Sequence, residues 1–266
     1  MVAALFAALA LLAGGSPPPP GAPIPRDAEA LSARLEATSH DLAAAIDRWH
    51  ATGGPSVPDD VTLDALYQQR ILILLSAKRS LSEAVLRRLP PASARPIESE
   101  LLARRELLQL SSPRPLRAFR TGRAEAPERL RGYYLEAQRR FGVAWQVLVA
   151  VNYVESAFNK LRNASTAGAQ GPMQFIPSTW RAYGLGGDIR DPHDAILGAA
   201  NYLHANGAPR DYRRALFRYN PSWLYVNAVL RYASRIRTDP RAYYVFYSRQ
   251  VFVRTPHGLV RLTGPR

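Results

Sequence analysis

Glu155 is the residue whose type and position carry the most chemistry. It closes an almost wholly apolar run, residues 144–158, in which Leu148, Val151, Asn152 and Glu155 recur at i, i+3, i+4 and i+7 and so share one helical face. A carboxylate ending such a helix is costly to ionise, because burial disfavours the charged form and the negative end of the helix dipole adds to the effect. Both raise its pKa, which is the condition for a carboxylic acid that keeps its proton near neutral pH and can work as a general acid and then as a base. Other chemistries find less material. The chain of 266 residues has no cysteine, which excludes a disulfide framework, a thiolate metal site and a Cys nucleophile. His40, His50 and the acidic residues around them stand at helical surface spacing with no set repeated at ligand spacing, so no metal site and no cofactor are expected. Asp188 lies in a Gly-Gly-Asp turn, and Asp191 and Asp194 read as helix-capping residues.

The elements that must position Glu155 can be read outward from it. Residues 127–141 make a helix closed by Gly142, and Asp191-Pro192-His193-Asp194 starts another, with Asp at the cap and Pro at the first helical position. Gly207 ends that helix, and two more follow at 211–219 and 222–237, separated by Asn220-Pro221. Upstream, Leu31, Leu35, Leu42, Ile46 and Trp49 mark a helix stopped by Gly53-Gly54-Pro55. A second is expected over residues 63–89, ended by Pro90-Pro91, and a third over 97–110. After Pro240 the apolar pattern changes to that of strands, at 243–247 and 251–253, with Pro256-His257-Gly258 as a turn, and a terminal β-hairpin is expected.

Residues 1–15 form an apolar run too short for the ~20 residues of a membrane span and suited to a signal-peptide core, with retention as an anchor the alternative because no Lys or Arg precedes Arg26. Residues 16–26 contain Ser-Pro-Pro-Pro-Pro-Gly-Ala-Pro-Ile-Pro, an extended linker. The net charge of +14 would attract polyanions, but the basic residues are scattered as Arg pairs such as Arg87-Arg88, Arg139-Arg140 and Arg213-Arg214. They read as solvated helix faces, and no nucleic-acid partner is expected.

Four motifs then occur in order: Val-Glu-Ser-Ala-Phe-Asn at 154–159, Gly-Ala-Gln-Gly-Pro-Met-Gln-Phe-Ile-Pro-Ser-Thr-Trp at 168–180, Asp191-Pro192 with Ala199-Ala200-Asn201-Tyr202-Leu203, and Ala-Leu-Phe-Arg-Tyr-Asn at 215–220. Together they resemble the lysozyme-like lytic transglycosylases of bacteria, over roughly residues 126–238. The resemblance implies a mainly α protein. A lysozyme-like catalytic domain at 120–238 would be preceded by a helical hairpin or bundle at 27–112 and followed by a β-hairpin tail at 239–266. It makes Glu155 the sole catalytic residue, with Ser165, Gln174, Tyr219 and Asn220 lining a sugar cleft. Gly168 and Gly171 would let the backbone approach the sugar, Gln174 and Asn220 would pair with N-acetyl and hydroxyl groups, and Tyr219 would hold the carboxyl or the acetamido group. Pro172, Ile176 and Arg218 depart from the family's usual Leu, Met and Ala.

The resemblance implies cleavage of the MurNAc-β-1,4-GlcNAc bond of peptidoglycan glycan strands with 1,6-anhydro-MurNAc ends, in an exported protein of the cell envelope. A goose-type hydrolase of the same bond would need a second carboxylate, for which Asp188, Asp191 and Asp194 are candidates. A non-catalytic wall-binding module is the third reading, and retention of Glu155 argues against it. Residues 27–110 carry no site residue and are left to position the catalytic region or to meet an envelope protein partner.

Overall fold

The computed structural model describes residues 16–265, so the expected signal segment lies outside the described residues. The first helix, α1 (Ala28–Thr52), starts where the Asp27 carboxylate accepts the Ala30 N–H at 2.8 Å. It ends at Gly53, whose φ of 68° is left-handed and whose N–H returns to the Trp49 carbonyl. The expected single helix at 63–89 is two: α2 (Asp59–Ala77) and α3 (Arg79–Leu86), parted at Lys78. Periodicity could not report this break, because its cause lies in α4 (Pro91–Leu110): Arg105 donates to the Leu75 and Ser76 carbonyls, which a straight helix would have paired internally, and to the Ser82 hydroxyl. The turn lets Val85 and Leu89 join Leu31, Leu35, Tyr67 and Ile71 in a small core. Helix α4 also begins six residues before its expected start, since Pro91 occupies a first helical position, where proline starts a helix instead of stopping one. The proline-rich segment is extended as expected but does not hang free: Arg70 donates to the Pro20 and Ala22 carbonyls and Tyr67 to that of Pro23.

Downstream come α5 (Pro127–Phe141), α6 (Trp145–Ser156), α7 (Pro177–Tyr183), α8 (Pro192–Ala205), α9 (Tyr212–Tyr219) and α10 (Trp223–Thr238). Helix α10 lies between α4 and α6, and α5 packs on α8. One apolar core runs through them and into the N-terminal helices, joining Leu42, Ile46, Trp49, Val61 and Ala103 to Leu130, Leu148, Val151, Ile196 and Val229. The core therefore crosses residue 112, where a change of region was expected.

The clearest departure is at 243–247, expected as a strand and found within α11 (Arg241–Ser248). Tyr243 meets Tyr134 and Trp145, Tyr244 meets Trp49, Phe246 stacks on Tyr153 and meets Tyr232 edge-on, and Tyr247 meets Phe158. A short helix enclosed by aromatic neighbours on nearly every side has no polar face, so its run of β-favouring residues mimics a buried strand. The expected hairpin follows it: β1 (Phe252–Thr255) pairs antiparallel with β2 (Gly258–Arg261), Val253 opposite Val260, around Pro256-His257.

Candidate active site

Helix α6 stops at Ser156, two residues before its expected end at Phe158. Ala157, Phe158 and Asn159 take φ of 49°, 63° and 66°, a left-handed run that costs about 1–2 kcal/mol per residue. It is held from both sides. Phe158 is buried against Tyr153, Tyr243 and Tyr247, and the Ser156 hydroxyl accepts the Asn159 N–H at 2.9 Å. The same hydroxyl donates to the Pro172 carbonyl at 2.6 Å, and the Asn152 amide donates to that carbonyl at 2.8 Å while the Tyr134 hydroxyl fixes its oxygen. Ser156 and Asn152 thus clamp the Gly171-Pro172-Met173-Gln174 turn to the end of α6, beside Glu155. In that turn Gly171 has φ of 76°, and an added Cβ would lie 1.8 Å from the Ile189 carbonyl oxygen. This close approach is to protein backbone. Gly168 also has positive φ, but nothing crowds it.

Glu155 is half-buried. Its carboxyl accepts a hydrogen bond from the Tyr225 hydroxyl at 2.7 Å, and no cationic side chain pairs with it among the described residues. Burial pushes its pKa up to about 7, and the Tyr225 hydrogen bond opposes that rise by favouring the anion. Burial, reinforced by the nearby Glu155, keeps Tyr219 and Tyr225 well above the usual tyrosine range, so both remain neutral donors. The carboxyl at this site can therefore hold or release a proton near neutrality.

The other expected site residues are placed as follows. Tyr219, the last residue of α9, donates to the Met173 carbonyl at 2.6 Å and packs against Phe175 and Tyr202. It fixes the turn; of the two roles expected of it, holding the carboxyl or the acetamido group, the contact to the carboxyl is made by Tyr225. Gln174 has φ of 50° and donates to the Gly171 carbonyl, while Asn220 caps α9 and is half-exposed. Ser165 accepts the Ala169 N–H at 3.0 Å and so staples its own loop. Each of the candidate second carboxylates is engaged: Asp188 accepts from the Arg190 N–H, Asp191 from that of Asp194, and Asp194 from that of Asp188. Asp191, His193 and Asp194 bring ligand-type atoms within 4.8 Å of one another, but the carboxylates serve these caps and His193 meets Glu136 at 3.0 Å.

The match to the family model described as the transglycosylase SLT domain covers residues 132–236, from α5 to the end of α10, and includes Glu155, Tyr219 and Tyr225. This part of the chain thus resembles the transglycosylase SLT domain. Over 161 residues the chain is 31% identical to membrane-bound lytic murein transglycosylase F 1 of Alkalilimnicola ehrlichii, an alignment covering 54% of this chain and 32% of that protein. Over 74 residues it is 36% identical to membrane-bound lytic murein transglycosylase F of Thiobacillus denitrificans, covering 28% of this chain and 15% of the relative. The chain thus spans a third or less of these relatives' length. No solved structure matches it significantly.

One residue beside Glu155, Tyr225, is not identified from the sequence, and neither is the partner of a second, Asn152. Tyr225 stands 70 residues beyond Glu155, and its only local signal is an aromatic residue in the first turn of an amphipathic helix. Asn152 was placed on the Glu155 face, but its neighbour Pro172 could not be named from periodicity.

Proposed function

We propose that the chain is a peptidoglycan lytic transglycosylase in which Glu155 serves as the acid and then the base. The observation that carries this reading is a half-buried carboxyl with a pKa near 7, held by a neutral tyrosine inside an SLT domain. Glu155 protonates the oxygen of the MurNAc-β-1,4-GlcNAc bond while the substrate's own 2-acetamido group stabilises positive charge at C1. The carboxylate so formed takes the proton of the C6 hydroxyl, which attacks C1 and closes a 1,6-anhydro ring. Proximity favours this step, because a held intramolecular nucleophile outcompetes water. Tyr225 orients the carboxyl, and the turn carrying Gln174, together with Asn220, offers amides to the sugar. Ser165 would act at the cleft edge through its loop. Residues 27–112 position the SLT domain through the shared core and leave an outer face for an envelope partner, and the setting is the cell envelope. No helix among the described residues is long and apolar enough to cross a membrane.

Mass spectrometry of products released from purified peptidoglycan tests the reaction. Anhydro-muropeptides are expected, lighter by one water than reducing-end products. Predominantly reducing ends would overturn the transglycosylase and restore the hydrolase.

A further inference from the structure

Helix α9 has two faces with different company. Ala215 and Leu216 are buried and Tyr219 reaches inward to the Met173 carbonyl, whereas Arg213, Arg214 and Arg218 are exposed on the opposite side with the half-buried Phe217. This outer face and the start of α10 enclose an open groove of about 710 Å³. Trp223 forms one wall. It is 52% exposed, with its ring 4.5 Å from that of Phe217 at 30° and the Arg213 guanidinium 5.0 Å above it. Arg213 is steadied by the Asn227 side-chain oxygen at 3.3 Å. The groove's one acid, Asp211, is occupied as the N-cap of α9, accepting the Arg214 N–H at 2.9 Å.

Three guanidinium groups against one committed carboxylate form an anion-binding surface, and guanidinium suits carboxylate because its donors match both oxygens at once. The adjacent aromatic wall selects further, since an exposed indole beside a half-buried phenyl favours a ligand with apolar C–H surface between its charges over a bare polyanion. The groove adjoins Asn220, whose chain neighbour Pro221 lines it, and lies on the face of α9 opposite Tyr219. We propose that this groove binds the carboxylate-bearing stem peptide that branches from a glycan strand lying in the cleft. Resting on the transglycosylase reading, this makes substrate choice depend on a surface outside the catalytic cleft. The guanidinium groups hold the peptide's carboxylates, while Trp223 and Phe217 receive its alanine methyls.

The test compares the full chain on soluble glycan strands that carry tetrapeptide stems and on strands stripped of them by an amidase. KM for the peptide-bearing strands should be about tenfold lower, the size of one charge-assisted hydrogen-bonded contact. Arg213→Glu and Trp223→Ala should each erase most of that difference while leaving kcat on stripped strands at the wild-type level. Equal KM values in the wild type, or a difference that survives both substitutions, would overturn the proposal. So would polyphosphate competing as well as free tetrapeptide, which would make the groove a reader of charge alone. Binding of both strand types to Glu155→Gln protein, followed by calorimetry, separates this from the reaction itself. Preferential binding of peptide-bearing strands without wild-type cleavage would refute the transglycosylase alone, while neither binding nor cleavage of either strand would refute both.

Discussion

Glu100 on α4 and Glu155 on α6 are both drawn into the same helical assembly, and they are given opposite partners. Glu100 faces Arg249, with side chains 10% and 1% exposed. The guanidinium approaches one oxygen at 2.5 Å and donates to the other at 3.0 Å. Arg249 also reaches Gln68 of α2 and the Tyr153 hydroxyl of α6 and lies 4.9 Å from the Phe246 ring centroid. Burial works against its charge, but Glu100 and Tyr153 beside it more than offset this and hold its pKa above the usual arginine value. This junction ties N-terminal helices, helix α6 and the segment after α11 together two residues upstream of Glu155. Nearby, Lys160 donates to the Tyr247 and Arg249 carbonyls, and burial brings its pKa down to about 8. At Glu155 the cation is withheld and a tyrosine stands in its place. At Glu100 the fold supplies a counter-charge; at Glu155 it supplies burial and one neutral donor.

The largest effect should come from breaking the locked pair. Arg249→Met leaves Glu100 buried without its cation and should cost about 3–5 kcal/mol of stability, read by denaturant unfolding, with much of it recovered in Arg249→Met/Glu100→Leu. A single variant as stable as the wild type would mean that the junction holds nothing. Glu155→Gln should do the reverse, keeping or raising stability at neutral pH while lowering turnover of peptidoglycan by about 10²-fold or more. Retained turnover in folded protein would move the acid elsewhere.

The contrast also has a pH signature. Glu155 rises from 4.5 to about 7 in the folded protein, and Asp64, buried on α2 near Asp41 and Asp60, rises from 3.8 to about 7, chiefly through burial. Between the unfolded and folded values the folded state binds more protons. Each group's stabilisation is therefore complete below about pH 4 and is lost as pH climbs toward 7, with a slope of up to ~1.4 kcal/mol per pH unit per group. Unfolding midpoints across pH 4–8 should show this decline, and Glu155→Gln and Asp64→Asn should each flatten it. A profile unchanged by either substitution would contradict the burial argument. The smallest effect is that of Tyr225→Phe. Losing a hydrogen bond that favours the anion should raise the Glu155 pKa further, move the alkaline limb of kcat/KM to higher pH and reduce kcat by about 2–10-fold. An alkaline limb that moves down would show that Tyr225 serves the protonated form instead.

What could be read along the chain was what neighbours in sequence decide. The helix ends at Gly53 and Gly142, the cap at Asp191, the apolar helix carrying Glu155 and the order of the motifs all rest on spacings of a few residues. The break at Lys78, the helix at 241–248 and the early end of α6 were decided elsewhere: by Arg105, by aromatic rings from α1, α5, α6 and α10, and by the Pro172 carbonyl. The two partner choices that distinguish Glu100 from Glu155 span 149 and 70 residues. A residue's sequence neighbours set its helical phase and caps. Whether a buried carboxyl meets a guanidinium or a phenol depends on which distant helix packs over it, and only the tertiary structure makes that choice.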